Sequence, residues 1–157
     1  MTPPLSPAPL SRSAIVRIAL LVFLGLLSPA AAGSAEDAEV AAQALARDQE
    51  KAEYAFRAEA WVGALGKDIG KAVKMQLFKG NSYCIGVAVP RKSGIHVSGS
   101  VLDFKGQPVG EIQPVADGWG FLLFFEPKKT GVYVVTIHQA ETGKREDTSC
   151  AVITGYK

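Results

Sequence analysis

Residues 121–125 read Phe-Leu-Leu-Phe-Phe and form the most apolar of the short strands that the sequence predicts. Side chains alternate between the two faces of a strand, so Leu122 and Phe124 face away from the other three residues. A sheet with one solvated face needs apolar residues on its core side only. We therefore expect a further element to cover Leu122 and Phe124.

Around this stretch, short apolar segments alternate with turn signals. Gly, Pro and Asn residues punctuate the segments about every 8 to 12 residues, which is typical of sandwiches and small barrels. No helical segment separates them, so we do not expect a parallel sheet. The sequence predicts an antiparallel, jelly-roll or immunoglobulin-like β-sandwich over residues 73–157, with strands at 75–79, 82–89, 95–103, 109–113, 121–126, 132–140 and 149–154.

The segment before the strands has helical composition. It is rich in Ala, Glu, Gln and Arg and holds no Pro or Gly from residue 35 until Gly63. Ser34 and Asp37 have the spacing of a capping box. The sequence therefore predicts one N-terminal helix over residues 35–65, within a helical segment and linker at 33–72.

The predicted helix carries its better apolar stripe in its second half. In the first half, only Val40, Ala44 and Leu45 are candidates for burial. We expect the second stripe to cover Leu122 and Phe124, the alternative cover being an oligomer interface. Its members follow the i, i+4, i+7 spacing of one helix face: Tyr54, Ala58, Trp61, Val62 and Leu65.

The first 32 residues have the organisation of a cleaved signal peptide. Arg12 and Arg17 supply positive charge, residues 18–27 form an uncharged apolar run, and residues 30–32 are alanines before the expected cleavage at Gly33. The alternative is a retained anchor, but a helix over that run reaches only about 15 Å, roughly half the hydrocarbon thickness. We expect a periplasmic or secreted protein with no integral membrane span after cleavage.

Cleavage would also remove the net positive charge of the chain. It takes away two arginines and leaves 15 basic and 15 acidic residues. A neutral protein gives no electrostatic reason to expect binding to nucleic acid or to an anionic membrane surface. We therefore expect no nucleic-acid partner.

Cys84 and Cys150 are the only two cysteines. In an oxidising compartment such a pair is naturally a disulfide, and a small domain gains stability from one. The alternative is two separate buried thiols. The sequence does not show whether their strands are neighbours, and the expected compartment favours the disulfide.

No catalytic or metal-binding constellation stands out. His96, His138 and Asp103 are the one conceivable zinc set, but isolated strand histidines are commonly surface residues. No Gly-x-Ser-x-Gly turn is present for a hydrolase. We expect no catalytic residue, no metal and no cofactor.

Trp119 is the single candidate binding residue. It lies between two glycines in a predicted loop, and an exposed Trp at a loop tip is a good stacking anchor for a sugar ring or a partner protein. The alternative is that Trp119 folds back and closes the end of the sandwich.

Three segments carry motifs of a known family. Residues 73–83 end in Gly-Asn-Ser-Tyr, residues 102–106 read Leu-Asp-Phe-Lys-Gly, and residues 125–137 contain Phe-x-Pro-x-x-x-Gly-x-Tyr-x-Val. These resemble the opening strand, the Asp-containing hairpin and the most specific pattern of the bacterial pre-peptidase C-terminal domains, in particular their small secreted single-domain relatives. The resemblance implies a β-sandwich and no chemistry. Some members bind Ca²⁺ through clustered Asp residues, which residues 95–100 lack, so calcium binding is not expected.

Two glycine–tyrosine pairs in these motifs predict corners between strands. Gly131 is expected at a tight corner where a side chain would clash. Tyr133 can bury its ring there while its hydroxyl bonds a nearby backbone group. Gly80 and Tyr83 predict a second corner of this kind.

These expectations combine into a non-enzymatic, exported β-sandwich protein that acts as a binding or envelope-associated module for an unknown protein or glycan. One alternative is a small secreted enzyme or inhibitor that acts through Trp119, His96 or His138. Another is a subunit of an exported assembly that uses the helix to contact its partner.

Overall fold

The computed structural model describes residues 32–157, with side chains from Ser34 onward. The predicted signal peptide lies outside these residues except for Ala32, at which the helix begins. Over the described part of the chain, no helix is long and apolar enough to cross a bilayer. Within it, α1 spans Ala32–Glu50 and ten strands follow: β1 Ala55–Phe56, β2 Trp61–Leu65, β3 Lys71–Leu77, β4 Tyr83–Ala88, β5 Val97–Leu102, β6 Pro108–Val109, β7 Glu111–Pro114, β8 Gly120–Phe125, β9 Gly131–Gln139 and β10 Thr148–Tyr156.

The strands form two antiparallel sheets. The larger, which we call the covered sheet, has the order β7–β8–β4–β10, and β1 and β2 both pair with the other side of β10. The smaller, which we call the open sheet, has the order β6–β5–β9–β3. The predicted fold class, a mostly β antiparallel sandwich preceded by one helix, is confirmed.

The core between the sheets is built from every second residue of the central strands. Each large apolar side chain that is fully buried contributes about 1.5–3 kcal/mol to stability, so this layer holds the sheets together. Phe121 and Leu123 face into it, and Leu122 and Phe124 face away, as the alternation predicts. Its largest fully buried members are Leu65, Leu77, Ile85, Val87, Val89, Ile95, Val101, Phe121, Leu123, Val135, Ile137 and Val152.

The helix, which ends at Glu50, covers the outer face of the covered sheet. Leu45 and the alanines at 38, 41, 42 and 46 pack there against Leu122 and Ile153. Small helix side chains allow the helix backbone to approach the strands closely. The chain itself therefore provides both covers: Leu122 is covered by residues 38–46, although Val40 among them stays 54% exposed, and Phe124 is covered in part by Tyr54 of the predicted stripe, with ring centroids 6.0 Å apart.

The helix ends at Glu50, so the prediction of a helix to residue 65 is wrong. Glu53 has a positive φ of 68°, which turns the chain out of the helical direction. Residues 61–65 form β2, which pairs with β10 from Trp61 opposite Val152 to Leu65 opposite Thr148. The prediction that Ser34 caps the helix is also wrong, because α1 begins at Ala32. The Ser34 hydroxyl instead accepts a hydrogen bond from the Ser149 backbone amide at 3.3 Å.

One lateral edge of the sandwich is closed by a crossover between the sheets. Val109 of β6 pairs with β5, whereas Glu111 of β7 pairs with β8. Gly110 between them has φ 84°, and an added Cβ would lie 2.8 Å from the Phe124 carbonyl oxygen. Only glycine fits this position without strain, and it divides the predicted strand 109–113 into two.

The two predicted corners have different physical bases. The Tyr133 hydroxyl donates to the Lys129 carbonyl at 2.8 Å, and the Tyr83 hydroxyl accepts from the Phe78 amide at 2.9 Å. Gly80 has φ 97°, a conformation that favours glycine. The expected clash at Gly131 is wrong, because an added Cβ there would meet no atom within 4 Å.

Candidate functional site: a groove between two sheet edges

A groove of about 480 Å³ opens along the lateral edge opposite the crossover. Its walls are β3, the edge strand of the open sheet, and the β1–β2 side of the covered sheet. These two edges do not pair with each other, so inward-facing side chains are accessible between them. The lining residues are Arg57, Glu59, Trp61, Val73, Lys74, Met75, Gln76, Leu77, Phe78, Asn81, Tyr83, Val152, Thr154 and Tyr156.

Trp61 forms the aromatic wall of the groove. It lies on the inward face of β2 opposite Val152, and the residue as a whole is 36% exposed. Its ring packs against Gly63, where an added Cβ would lie 2.3 Å from Trp61 Cη2. The Lys71 ammonium lies 5.7 Å from the ring centroid. Gly63 lies two residues after Trp61 on the same face of β2. Because it has no side chain, the indole can lie flat on it and remain partly open to solvent.

The groove also has an aromatic pair at the end near the C-terminus. The rings of Tyr83 and Tyr156 lie 6.3 Å apart, and Tyr156 is about half exposed. The Tyr83 hydroxyl accepts a second hydrogen bond from the Asn81 side-chain amide at 3.2 Å, so this ring is fixed. Between the aromatic groups, the Thr154 hydroxyl lies 3.8 Å from the Met75 sulfur. The floor is thus apolar, with a hydroxyl at its centre.

Four polar side chains around the groove have no side-chain partner. Arg57 and Glu59 come from the chain between β1 and β2, and Lys74 and Gln76 come from β3. Among the residues that the structure describes, none of the four side chains makes a salt bridge or a side-chain hydrogen bond. All four are exposed. Arg57 and Glu59 are therefore available to a ligand, whereas Lys74 and Gln76 alternate with the inward-facing residues of β3 and lie at the outer rim of the groove.

The arrangement suits binding of an elongated polar ligand. An aromatic ring offers a flat face to a sugar ring or to another planar group, and the surrounding amide and charged groups supply hydrogen bonds that fix orientation. The seven residues of β3 span roughly 23 Å, enough for several units of a linear chain.

Trp119, the predicted binding residue, lies at the far end of the sandwich from Tyr83 and Tyr156. It packs against both apolar clusters, and its carbonyl accepts a hydrogen bond from the Val89 amide at 3.0 Å. The Arg91 guanidinium lies 4.3 Å from its ring centroid. These contacts match the alternative in which Trp119 closes the sandwich end.

The histidines do not meet Asp103. His96 Nδ1 lies 3.0 Å from the Thr142 hydroxyl, whereas the carboxylate of Asp103, at the other end of β5, accepts from the Lys105 and Gln107 amides. His138 Nε2 lies 2.8 Å from the Ser98 hydroxyl on the outer face of the open sheet. Within residues 32–157, no group of three or more His, Cys, Asp or Glu side chains is placed to hold a metal.

The predicted disulfide is not formed. Cys84 and Cys150 are free and buried, and they face opposite sides of the covered sheet, Cys84 toward the helix and Cys150 toward the open sheet. Cys84 pairs with Gly155, so the two are also offset by five residues along β10, roughly 16 Å. Burial raises the pKa of the Cys84 thiol to about 12 and that of Cys150 to about 11. Both are therefore protonated and unreactive at neutral pH.

Sequence reasoning missed the groove because it assigned Trp61 to a helix stripe. Residues 54, 58, 61 and 65 satisfy helical spacing, but residues 61, 63 and 65 also satisfy the period of two of a strand. Gly63 was the signal that favours the strand, since glycine weakens a helix and marks a close approach in a strand.

The comparisons with known proteins add no family. The chain matches no protein-family model and no curated protein sequence.

Proposed function

We propose that the protein is an exported, non-enzymatic binding module that holds a segment of a linear glycan in the groove between β2 and β3. The observation that carries the proposal is the partly exposed Trp61, held flat on Gly63 and flanked by unpartnered polar side chains. Export is supported by the signal-peptide pattern of residues 1–32.

The family resemblance is part of the proposal. Two antiparallel sheets are the fold that a pre-peptidase C-terminal domain requires. The hydroxyl of Tyr133 in the Phe-x-Pro-x-x-x-Gly-x-Tyr-x-Val segment makes the backbone contact that such a corner needs. Because the motifs concern fold alone, the resemblance supports a module rather than a reaction.

The two tryptophans provide a matched test of the groove. Purified protein is screened on an array of soluble oligosaccharides, and hits are quantified by titration calorimetry. Trp61→Ala is expected to weaken binding about tenfold or more, because stacking on an aromatic ring is lost. Trp119→Ala is expected to leave the affinity unchanged. The reverse pattern would place recognition at the Trp119 loop and overturn the groove proposal.

Fluorescence separates the same alternatives without labels. The chain has two tryptophans, so Trp119→Phe leaves Trp61 as the sole indole. A ligand in the groove is expected to shift the emission of that variant. A shift confined to the Trp61→Phe protein would contradict the proposal.

A second candidate ligand is an extended peptide, because β3 and β2 are both edge strands. An edge strand presents unpaired backbone groups that can pair with an added strand. Binding of unstructured peptides with an increase in β-sheet circular dichroism, in the absence of any glycan hit, would favour this candidate. In either case, we expect the protein in the periplasmic or extracellular fraction with Gly33 as its first residue.

A further inference from the structure

Three turns meet at one end of the sandwich and form a surface that we call the tip: residues 78–82, 103–107 and 126–130. The Lys79 amide donates to the Thr130 hydroxyl at 3.0 Å, and the Ser82 hydroxyl donates to the Glu126 carboxylate at 2.6 Å. These two hydrogen bonds join turns 78–82 and 126–130, and the Lys129 ammonium, 5.6 Å from the Phe104 ring centroid, brings turn 103–107 beside them.

The tip carries two exposed phenylalanine rings. Phe104 is 67% exposed and Phe78 is 50% exposed, although both are large apolar residues. Beside Phe104 opens a recess of about 560 Å³, lined in part by Val109, Phe125 and Tyr133. Single exposed apolar residues are normal on a protein surface, but two at the same end of the sandwich, one of them beside a partly apolar recess, mark an interaction surface.

The same turns carry four lysines, at positions 79, 105, 128 and 129. The Lys105 and Lys129 ammonium groups lie 5.7 and 5.6 Å from the Phe104 ring centroid. The two carboxylates of the tip, Asp103 and Glu126, accept hydrogen bonds from backbone amides and a hydroxyl.

The opposite end of the sandwich is arranged differently. Lys144 pairs with Glu146 at 2.8 Å and Arg145 with Asp68 at 3.2 Å, and these are the salt bridges of the described residues. Two cations at that end are thus matched by acids, whereas among the described residues none of the four tip lysines makes a salt bridge, and Lys105 and Lys129 lie over Phe104. A chain of zero net charge after cleavage therefore has a locally cationic, apolar end.

We propose that the tip docks on a phospholipid membrane surface with anionic headgroups. Phe104 enters the interfacial region, and Lys105, Lys128 and Lys129 contact headgroup phosphates. Aromatic rings favour the interface between headgroups and acyl chains, and lysine stems bury along it while their ammonium groups stay at phosphate level. Phe78 and Phe104 lie on separate turns, with lysines beside them. Lipid headgroups are mobile and can adjust to such spaced contacts, so no preformed pocket is needed. The proposed lipid contact does not require the glycan ligand, although Phe78 and Asn81 of the tip also line one end of the groove.

Sedimentation with lipid vesicles tests the proposal. Residues 31–157 form one compact unit that contains both apolar clusters, so this fragment is used, and the apolar run 18–27 is thereby left out. Binding is expected to vesicles with one third phosphatidylglycerol in phosphatidylcholine and not to pure phosphatidylcholine. It is expected to fall steeply from 0.1 M to 1 M salt, since screening shortens from about 10 Å to about 3 Å.

Two substitutions separate the charged and apolar contributions. Lys128→Gln with Lys129→Gln is expected to lower the partition coefficient about 25-fold, since each lysine near an anionic surface contributes about fivefold. Phe104→Ser is expected to lower it about tenfold through lost apolar burial. Thermal melting of each variant reports whether it is folded.

The matched controls lie at the opposite end. Lys67→Gln with Lys92→Gln makes the same change in net charge, and Ile69→Ser removes an apolar side chain that is at least as exposed as Phe104. Both are expected to leave vesicle binding within about twofold, because neither changes the tip. Equal losses from tip and control variants, equal binding to neutral vesicles, or no vesicle binding would each overturn the proposal. The last result would direct attention to an acidic protein partner.

Discussion

The two sheets differ in how many of their faces are buried. In the covered sheet, all six residues of β4 are buried, because the helix lies on one face and the open sheet on the other. In the open sheet, β9 alternates between buried residues and residues that are at least partly exposed. Burial on two faces therefore comes from the helix rather than from a longer or more regular sheet.

The outer faces of the two sheets are built from different residue types. On the covered sheet, Cys84, Gly86 and Ala88 are small enough for the helix to approach, and an added Cβ on Gly86 would lie 3.5 Å from Leu45 Cβ. On the open sheet, the Ser100 and Thr136 hydroxyls lie 2.9 Å apart across the strands. A small apolar surface favours a packed helix, whereas a hydroxyl-rich surface is satisfied by its own hydrogen bonds and by water.

The largest effect is expected from a charge placed under the helix. Leu45→Asp should lower the free energy of unfolding by about 4 kcal/mol, because an unpaired carboxylate would be buried against the covered sheet. Val40→Asp on the same helix is the control and should change it by about 0.5 kcal/mol or less, since Val40 is exposed. Urea unfolding measures both, and similar values for the two variants would show that the helix does not cover the sheet.

A smaller effect is expected from truncating apolar residues on the two outer faces. Ile153→Ala should cost about 3 kcal/mol, because Ile153 is buried between β10 and the helix. Val132→Ala on the open sheet should cost about 0.5 kcal/mol or less, because Val132 is 51% exposed. A large loss from Val132→Ala, measured by urea unfolding, would indicate that the outer face of the open sheet is also covered in solution.

The corner at Tyr133, where β9 begins in the open sheet, is expected to contribute less to the free energy of unfolding than Ile153. Tyr133→Phe should lower stability by about 1 kcal/mol, since it removes the hydrogen bond to the Lys129 carbonyl. Tyr156→Phe is the control, because that ring is about half exposed. A melting temperature unchanged by Tyr133→Phe would mean that the turn holds its conformation without the hydroxyl.

The smallest expected effect is a pH dependence of stability from the two buried thiols, which appears only above neutral pH. In the unfolded chain both thiols ionise near their ordinary pKa of 9.0, whereas burial keeps the folded pKa values at about 12 for Cys84 and 11 for Cys150. The folded state therefore binds more protons above pH 9, and the contribution of the thiols to stability, complete below pH 9, declines as the pH rises toward the folded values.

Urea unfolding at pH 8 and pH 10 measures this decline. A variant with Cys84→Ala and Cys150→Ala should show a smaller fall between the two pH values, because other titrating groups are common to both proteins. Protein denatured without reductant should also react with two equivalents of iodoacetamide, one for each free cysteine. If neither thiol reacts after denaturation, Cys84 and Cys150 form a disulfide in solution, which would contradict this prediction.

Features of this protein that depend on short-range interactions are predictable from the sequence, and those that depend on distant strands are not. The faces of residues 121–125 were predicted correctly, because alternation along a strand is a local property. Residues 54–65 were assigned to a helix, since the partner that makes β2 a strand is β10, which begins more than 80 residues later. Trp61 was therefore missed, and attention went to Trp119.

The sequence by itself determined the number of layers, the antiparallel arrangement and which side chains of the central strands point inward, because these follow from short periods and local turn chemistry. Only the tertiary structure decided that residues 32–50 alone form the helix that covers a sheet, that Cys84 and Cys150 lie on opposite faces, and that lysines and phenylalanines gather at one end. These features depend on the register between distant strands and on which turns lie at the same end of the sandwich. They therefore cannot be predicted from net charge or from residue spacing.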